Sequence, residues 1–168
     1  MPLSLTYDEV KALEPCSKEW RRVSKLLGGK KGWNGKRIDA ATARDAGCSI
    51  DDLVWVATSV ARYDADVARR LRLWMADCTA HVLDIYEKSE TYDAPRNAII
   101  EARAFARGEI DNAAWIAASD AAWIAARYSA EWSAESAAEE ESWQFDRLIE
   151  RLSENEPDDW PLPEVEAR

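Results

Sequence analysis

The chain is short of the residues that usually carry chemistry. Its 168 residues include one histidine, His81, and three cysteines, Cys16, Cys48 and Cys78. A metal site needs three or four ligands, and none of the cysteines has CxxC spacing, so neither a metal nor a cofactor is expected. The odd, scattered cysteines read as reduced thiols of a cytoplasmic protein. His81 sits one turn after Cys78, but i, i+3 neighbours on a helix rarely give nucleophile geometry and no third group orients them. His81 is expected to form a local polar pair with Asp77, four residues earlier, and the chain is expected not to be an enzyme. No stretch approaches 18 uncharged apolar residues, which argues against a membrane span. The start, MPLSLTYDEVK, lacks a basic segment followed by an apolar run, so no signal peptide is expected. Alternating apolar and polar runs bounded by turns are also missing, and no strand is expected.

Tryptophan is abundant, at nine residues. Four of them punctuate an alanine-rich stretch, Asp111 to Leu152, that has no glycine or proline and strong helix propensity. A unit repeats within it: Ala113-Ala114-Trp115-Ile116-Ala117-Ala118, then Ala121-Ala122-Trp123-Ile124-Ala125-Ala126. At about 100° per residue, Trp115 and Trp123 stand roughly 80° apart, while Trp132 and Trp143 nearly coincide. Apolar bulk on several sides suits a helix sandwiched between partners. Alanines at 114, 118, 122, 126, 130, 134 and 138 would let another helix backbone come close. Unbroken, the stretch would run about 60 Å, too long for a domain of this size, so a bend is expected near Ser119-Asp120 or Tyr128-Ser129. The first half, Asp111–Ala126, is expected to be core.

Charge is unevenly placed. Residues 1–37 carry nine Lys/Arg against four Asp/Glu, net +5. Residues 38–107 carry nine against twelve, net −3, and residues 108–168 four against sixteen, net −12. The C-terminal part should therefore repel nucleic acid and attract basic protein surfaces.

Capping patterns divide the N-terminal third. Thr6-Tyr7-Asp8-Glu9 opens a short helix that Pro15 stops, and Ser17 starts a second that ends at Gly28-Gly29. Residues 28–37, GGKKGWNGKR, read as a flexible basic loop or tight turn, with Asn34-Gly35 a turn signal. It lacks the strand and GxxxxGK[ST] context of a phosphate-binding loop. Asp39 caps a helix ending at Gly47, and Ser49 with Asp52 caps the next. The Ala43-x3-Gly47-x5-Leu53 spacing is that of a helix-turn-helix, but its second helix would start with Asp51 and Asp52, and no base comes before Arg62. A structural helix pair is expected instead.

Asp64 can cap a long helix to about Glu90, whose Val67, Leu71, Trp74, Cys78, Val82 and Ile85 form a core-facing stripe. Pro95 suits the first turn of a helix that ends at Gly108. The run Glu139-Glu140-Glu141 is neither an alternating metal loop nor an ExxH motif. Residues 153–168 hold three prolines, many acids and Trp160, and read as an extended acidic tail that docks through Trp160.

One part of the chain resembles a known family. The residues are Leu71-Arg72-Leu73-Trp74-Met75-Ala76-Asp77-Cys78 through Val82-Leu83, then Asp93-Ala94-Pro95-Arg96-x-Ala98-Ile99-Ile100-Glu101-Ala102-Arg103-Ala104-Phe105-Ala106-Arg107-Gly108-Glu109, then the Ala/Trp repeats. They are similar to a family of small α-helical bacterial immunity proteins, over roughly residues 69–150. The family tends to carry a polar or His-bearing repeat where Ser119-Asp120 stands here. Residues 1–62 fall outside the resemblance and look like a phage- or prophage-type accessory segment. The resemblance implies an inhibitor that binds another protein and names neither a target nor catalytic residues.

The expected architecture is all-α: a compact bundle of six or seven helices. An N-terminal helical subdomain (1–62) with the basic loop 28–37 precedes the bundle (63–152), and the acidic tail (153–168) follows. The expected function is a non-enzymatic acidic inhibitor that occludes a basic protein surface. The target would be a toxin or a host defence nuclease complex, as for an anti-CRISPR protein acting as a DNA mimic. Glu131, Glu135, Glu139, Glu140, Glu141 and Asp146 would form the acidic face, and Trp143 or Trp160 the anchor. The alternative is a nucleic-acid-binding regulator that places Lys30, Lys31, Lys36 and Arg37 on phosphates. Self-association through the Ala/Trp helices would give an oligomer.

Overall fold

Three helices of the N-terminal part begin where a short polar side chain, that of Thr6, Asp39 or Ser49, accepts from an orphan amide. The structure, a computed structural model, describes residues 1–89, 94–110, 137–153 and 155–164. The Ala/Trp stretch from Asp111 to Ser136, with its expected bend and its alanine rows up to 134, lies outside the described residues. So does Glu90, the expected end of the long helix. Among the described residues the elements are β1 (Ser4–Leu5), α1 (Tyr7–Ala12), α2 (Ser17–Leu26), α3 (Gly29–Trp33), β2 (Ile38–Asp39), α4 (Ala40–Asp45) and α5 (Ile50–Ala61). They continue with α6 (Ala65–His81), α7 (Leu83–Ser89), α8 (Ala94–Ala106) and α9 (Ala137–Leu152). The described residues are therefore all-α apart from one two-residue antiparallel pairing, Ser4 with Asp39 and Leu5 with Ile38.

The caps follow the sequence closely. Glu9 N–H donates to Thr6 Oγ1 at 3.3 Å and Thr6 N–H to Glu9 Oε2 at 2.7 Å. Ser49 and Asp52 repeat this box on α5. Asp39 accepts from Thr42 N–H at 2.8 Å, and Asp64 from Asp66 N–H at 2.9 Å. Each such cap contributes about 1 kcal/mol.

Contacts group the chain into two units, each built from separated segments. The first comprises Met1–Leu71 and Leu148–Glu156, the second Arg72–Arg147 and Pro157–Arg168. In the first, Val10, Trp33, Cys48, Leu53 and Leu152 are buried around a narrow apolar cavity of about 60 Å³. Leu3 N–H donates to Leu152 O at 2.9 Å, which fixes the strand β1 to the end of α9. Arg70, 6% exposed, donates to Asp66 at 2.9 Å and to the Ser153 carbonyl at 2.6 Å. Glu156 takes both terminal nitrogens of Arg69, at 3.0 and 2.6 Å, and Arg151 at 3.2 Å.

The basic segment 28–37, for which the sequence predicts a flexible loop or tight turn, holds a short helix, α3, ahead of its turn. The cause is Trp33, which is 2% exposed and packs edge-on to Tyr7 at 5.3 Å and over Trp20 at 6.1 Å. Gly32 makes room for the turn, since a Cβ there would lie 2.6 Å from the Leu27 carbonyl oxygen. The Asn34-Gly35 turn forms as expected, with both residues at positive φ.

In the second unit, Ala76, Ala80, Leu83, Ile99 and Ala102 make the core, and Trp160 and Leu162 pack against it. Small residues on α6 and α8 leave the space that these two tail side chains fill. The long helix expected from Asp64 to about Glu90 is interrupted at Val82, between α6 and α7. Val82 and Leu83 are both buried there, 8% and 2% exposed. Adjacent residues of one regular helix stand about 100° apart, and the interruption lets both reach the interior. Among the described residues, no helix is long and apolar enough to cross a membrane.

Candidate functional site

The most ordered polar chemistry lies in the second unit, on one face of α6. Asp77 has no solvent exposure. Its carboxylate accepts from Arg103 Nη2 at 3.0 Å, Arg147 Nε at 2.8 Å and the Trp160 backbone N–H at 2.9 Å. Burying a carboxylate this far is tolerable only with such charge-assisted partners. The arginines then grip the tail: Arg103 donates to the Trp160 carbonyl at 2.6 Å, Arg147 to the Asp158 carbonyl and Arg96 to the Pro163 carbonyl at 2.9 Å. Arg107 and Asp159 form an ion pair beside them.

One turn on, His81 Nδ1 meets Glu140 Oε2 at 2.8 Å. Gln144 Nε2 donates to the other oxygen of Glu140 at 2.9 Å. The imidazole stacks on Trp143, with ring centroids 3.7 Å apart and planes 4° from parallel. Trp160 stands edge-on to both rings, at 5.1 and 4.9 Å. The local Asp77–His81 pair expected from the sequence is replaced by longer-range partners, Arg103 and Arg147 for Asp77 and Glu140 for His81.

This arrangement holds elements together more than it offers a reactive group. Asp77 already has three donors. The Cys78 thiol is pushed well up, chiefly by burial and then by Glu140 and Asp77, which keeps it protonated and a poor nucleophile. Among the described residues, no group of three or more His, Cys, Asp or Glu is placed to hold a metal ion.

The expected partner-binding residues divide accordingly. Glu131 and Glu135 lie outside the described residues. Glu139, Glu141 and Asp146 are exposed on α9. Glu140, with a side chain 13% exposed, is turned to His81, and Trp143 is half-buried under the same ring. Trp160 is half-buried against the core. In the other unit, Lys31 and Lys36 are exposed. Lys30 pairs with Asp8 at 3.2 Å, and Arg37 donates to Glu9 at 3.1 Å and to Ser4. Sequence reasoning gave Arg103 and Arg147 no role, and the only signal for them was basic residues on otherwise core-facing helices.

The segment that carries Asp77, His81, Arg103 and Trp143 can be compared with known proteins. Residues 61–143 match the family model described as Imm-5 like putative immunity protein. Over that segment the chain is similar to immunity proteins. No curated protein and no solved structure matches the chain. The matched segment covers α6, α7 and α8 and the start of α9. The arginine that completes the Asp77 cluster, Arg147, and the tail residue Trp160 follow it in sequence.

Proposed function

We propose that this chain is a non-enzymatic inhibitor of the immunity type, which binds a protein with a basic functional surface and blocks it. The family implies a protein target. The observation that carries the finer reading is the outward face of α9. Its two arginines, Arg147 and Arg151, are buried, Arg147 on Asp77, while Glu139, Glu141 and Asp146 are exposed. A helix sorted in this way shows a partner these three carboxylates and hides its cations. Such a face can occupy a cationic groove of the kind that holds nucleic acid, with carboxylates in place of phosphates. The natural target class is a toxin or a defence nuclease whose active surface is basic. His81, Glu140 and Trp143 support this face from behind by fixing α9 on α6. Rigid support of this sort lowers the entropy lost on binding.

The test compares the wild-type chain with a triple charge reversal, Glu139→Lys, Glu141→Lys and Asp146→Lys, as baits in host lysate. The wild type should retain a basic protein whose capture weakens steeply with salt, and the variant should lose it. Equal capture by both baits, or capture that salt does not affect, overturns the reading.

A further inference from the structure

The first unit holds an open groove of about 440 Å³, a volume in the range of ligand sites. Its apolar lining comes from Trp20 and Val23 on α2, Trp55 and Val56 on α5, Val10 on α1 and Pro15 before α2. The seam between these helices is not sealed. Although amphipathic, α2 buries none of its residues fully, and Trp55 stays 38% exposed. An indole left that open beside a cavity is a candidate contact for a partner.

The polar lining says which partner. It consists chiefly of Glu19, Arg22, Asp51 and Asp52. Arg22 donates to Glu19 at 2.9 Å and also pairs with Asp52. The second oxygen of Asp52 accepts from the Ser49 backbone N–H at 2.8 Å. Asp51 is exposed and has no ion-pair partner among the described residues. Three carboxylates against one guanidinium leave the groove two negative charges in excess, within a region whose first 37 residues carry net +5. An acidic segment or a nucleic-acid phosphate would be repelled there. A cation carried on an apolar body is matched by both parts of the lining.

We propose that this groove receives an arginine side chain flanked by aliphatic residues, presented by a protein partner. Arginine fits better than lysine. Its planar guanidinium stacks on an indole face such as that of Trp55 while its N–H groups reach a carboxylate such as Asp51, and the neighbouring aliphatic groups fill the space beside Val23 and Val56. The groove lies wholly outside the matched segment, 61–143. It also stands on the first unit alone, so its failure would leave the α9 reading in place, and the reverse holds too.

The test titrates the full chain with three blocked tripeptides, Leu-Arg-Leu, Leu-Lys-Leu and Leu-Glu-Leu, and follows the indole N–H resonances by NMR. The arginine peptide should shift the Trp55 and Trp20 signals saturably, with a Kd on the order of 0.1–1 mM for so small a probe. The lysine peptide should bind several-fold more weakly and the glutamate peptide should leave the signals in place. Trp55→Ala and Asp51→Asn should each weaken the arginine peptide about fivefold or more. Both positions are exposed, and an unchanged spectrum elsewhere shows that each variant is folded. Absence of saturable shifts, equal binding of the glutamate peptide, or undiminished affinity in both variants overturns the proposal.

Discussion

Arg147 reaches across 70 residues of sequence to place its Nε 2.8 Å from Oδ2 of Asp77, a side chain with no exposure to water. Arg103 takes the other oxygen at 3.0 Å. The carboxylate is therefore the common partner of two guanidiniums that are themselves less than a tenth exposed. Removing it should leave both positive charges buried and the Trp160 N–H without its acceptor. Asp77→Ala is expected to cost about 3–5 kcal/mol, the usual penalty for breaking a buried pair from one side. Urea denaturation measures this, and a loss below about 1 kcal/mol would show that the cluster contributes little.

Gly32 should respond to alanine with the opposite sign to an ordinary helical glycine. Gly→Ala inside an exposed helix normally stabilises by about 1 kcal/mol. Here the new Cβ would sit 2.6 Å from the Leu27 carbonyl oxygen, so Gly32→Ala should destabilise by about 1–3 kcal/mol. Gly35→Ala meets open space but a φ of +70°, and should cost about 1–2 kcal/mol through backbone strain alone. Thermal melts of the two variants separate the effects, and a stabilised Gly32→Ala would refute the close approach.

Acid should weaken the protein partly through Glu156. Burial opposes its ionisation, but Arg69 and Arg151 outweigh burial and hold the carboxyl below its ordinary 4.5. A carboxylate with a lowered folded value contributes stability above the unfolded value and loses it as pH falls through the folded one. Denaturation midpoints should therefore drop as pH is lowered from about 4.5, and Glu156→Gln should flatten that slope while reducing stability at neutral pH. Identical slopes for the two proteins would remove Glu156 from the explanation.

The thiols should react in order of exposure. Cys16 is exposed, whereas Cys48 is 4% exposed with its pKa pushed up to about 11, mainly by burial. Cys78 is raised further for the same reason. A chromogenic disulfide reagent near neutral pH should consume one thiol quickly in the native protein and all three in denaturant. Two fast thiols under native conditions would contradict the packing around Cys48 or Cys78.

What could be read from the sequence was what acts over three or four residues. The boxes at Thr6–Glu9 and Ser49–Asp52 and the caps at Asp39 and Asp64 are local geometry, and all four form. The β1–β2 pairing spans only two residues a side, too few for a period of two to register. Trp33 sat in a glycine-rich basic stretch that looked solvated, and only its packing with Tyr7 and Trp20 turns that stretch into α3. Long-range polar matches were the least accessible. Nothing near His81 indicated Glu140, 59 residues away, and nothing near Asp77 indicated Arg103 and Arg147. Of the acidic face inferred from charge alone, Glu139, Glu141 and Asp146 are exposed and Glu140 is engaged inward.

The arginines that hold the tail address main-chain oxygens, those of Asp158, Trp160 and Pro163. A carbonyl is the same whichever side chain follows it. The tail is consequently read as a ruler: exchange of solvent-facing residues between Asp158 and Pro163 leaves the three anchor points where they are. Deletion of a single residue there moves at least one carbonyl by about 3.5 Å, beyond the reach of its guanidinium. Evolution along this segment is thus constrained in length, and free in composition only where the side chain neither packs on the core, as Trp160 and Leu162 do, nor pairs with an arginine, as Asp159 does.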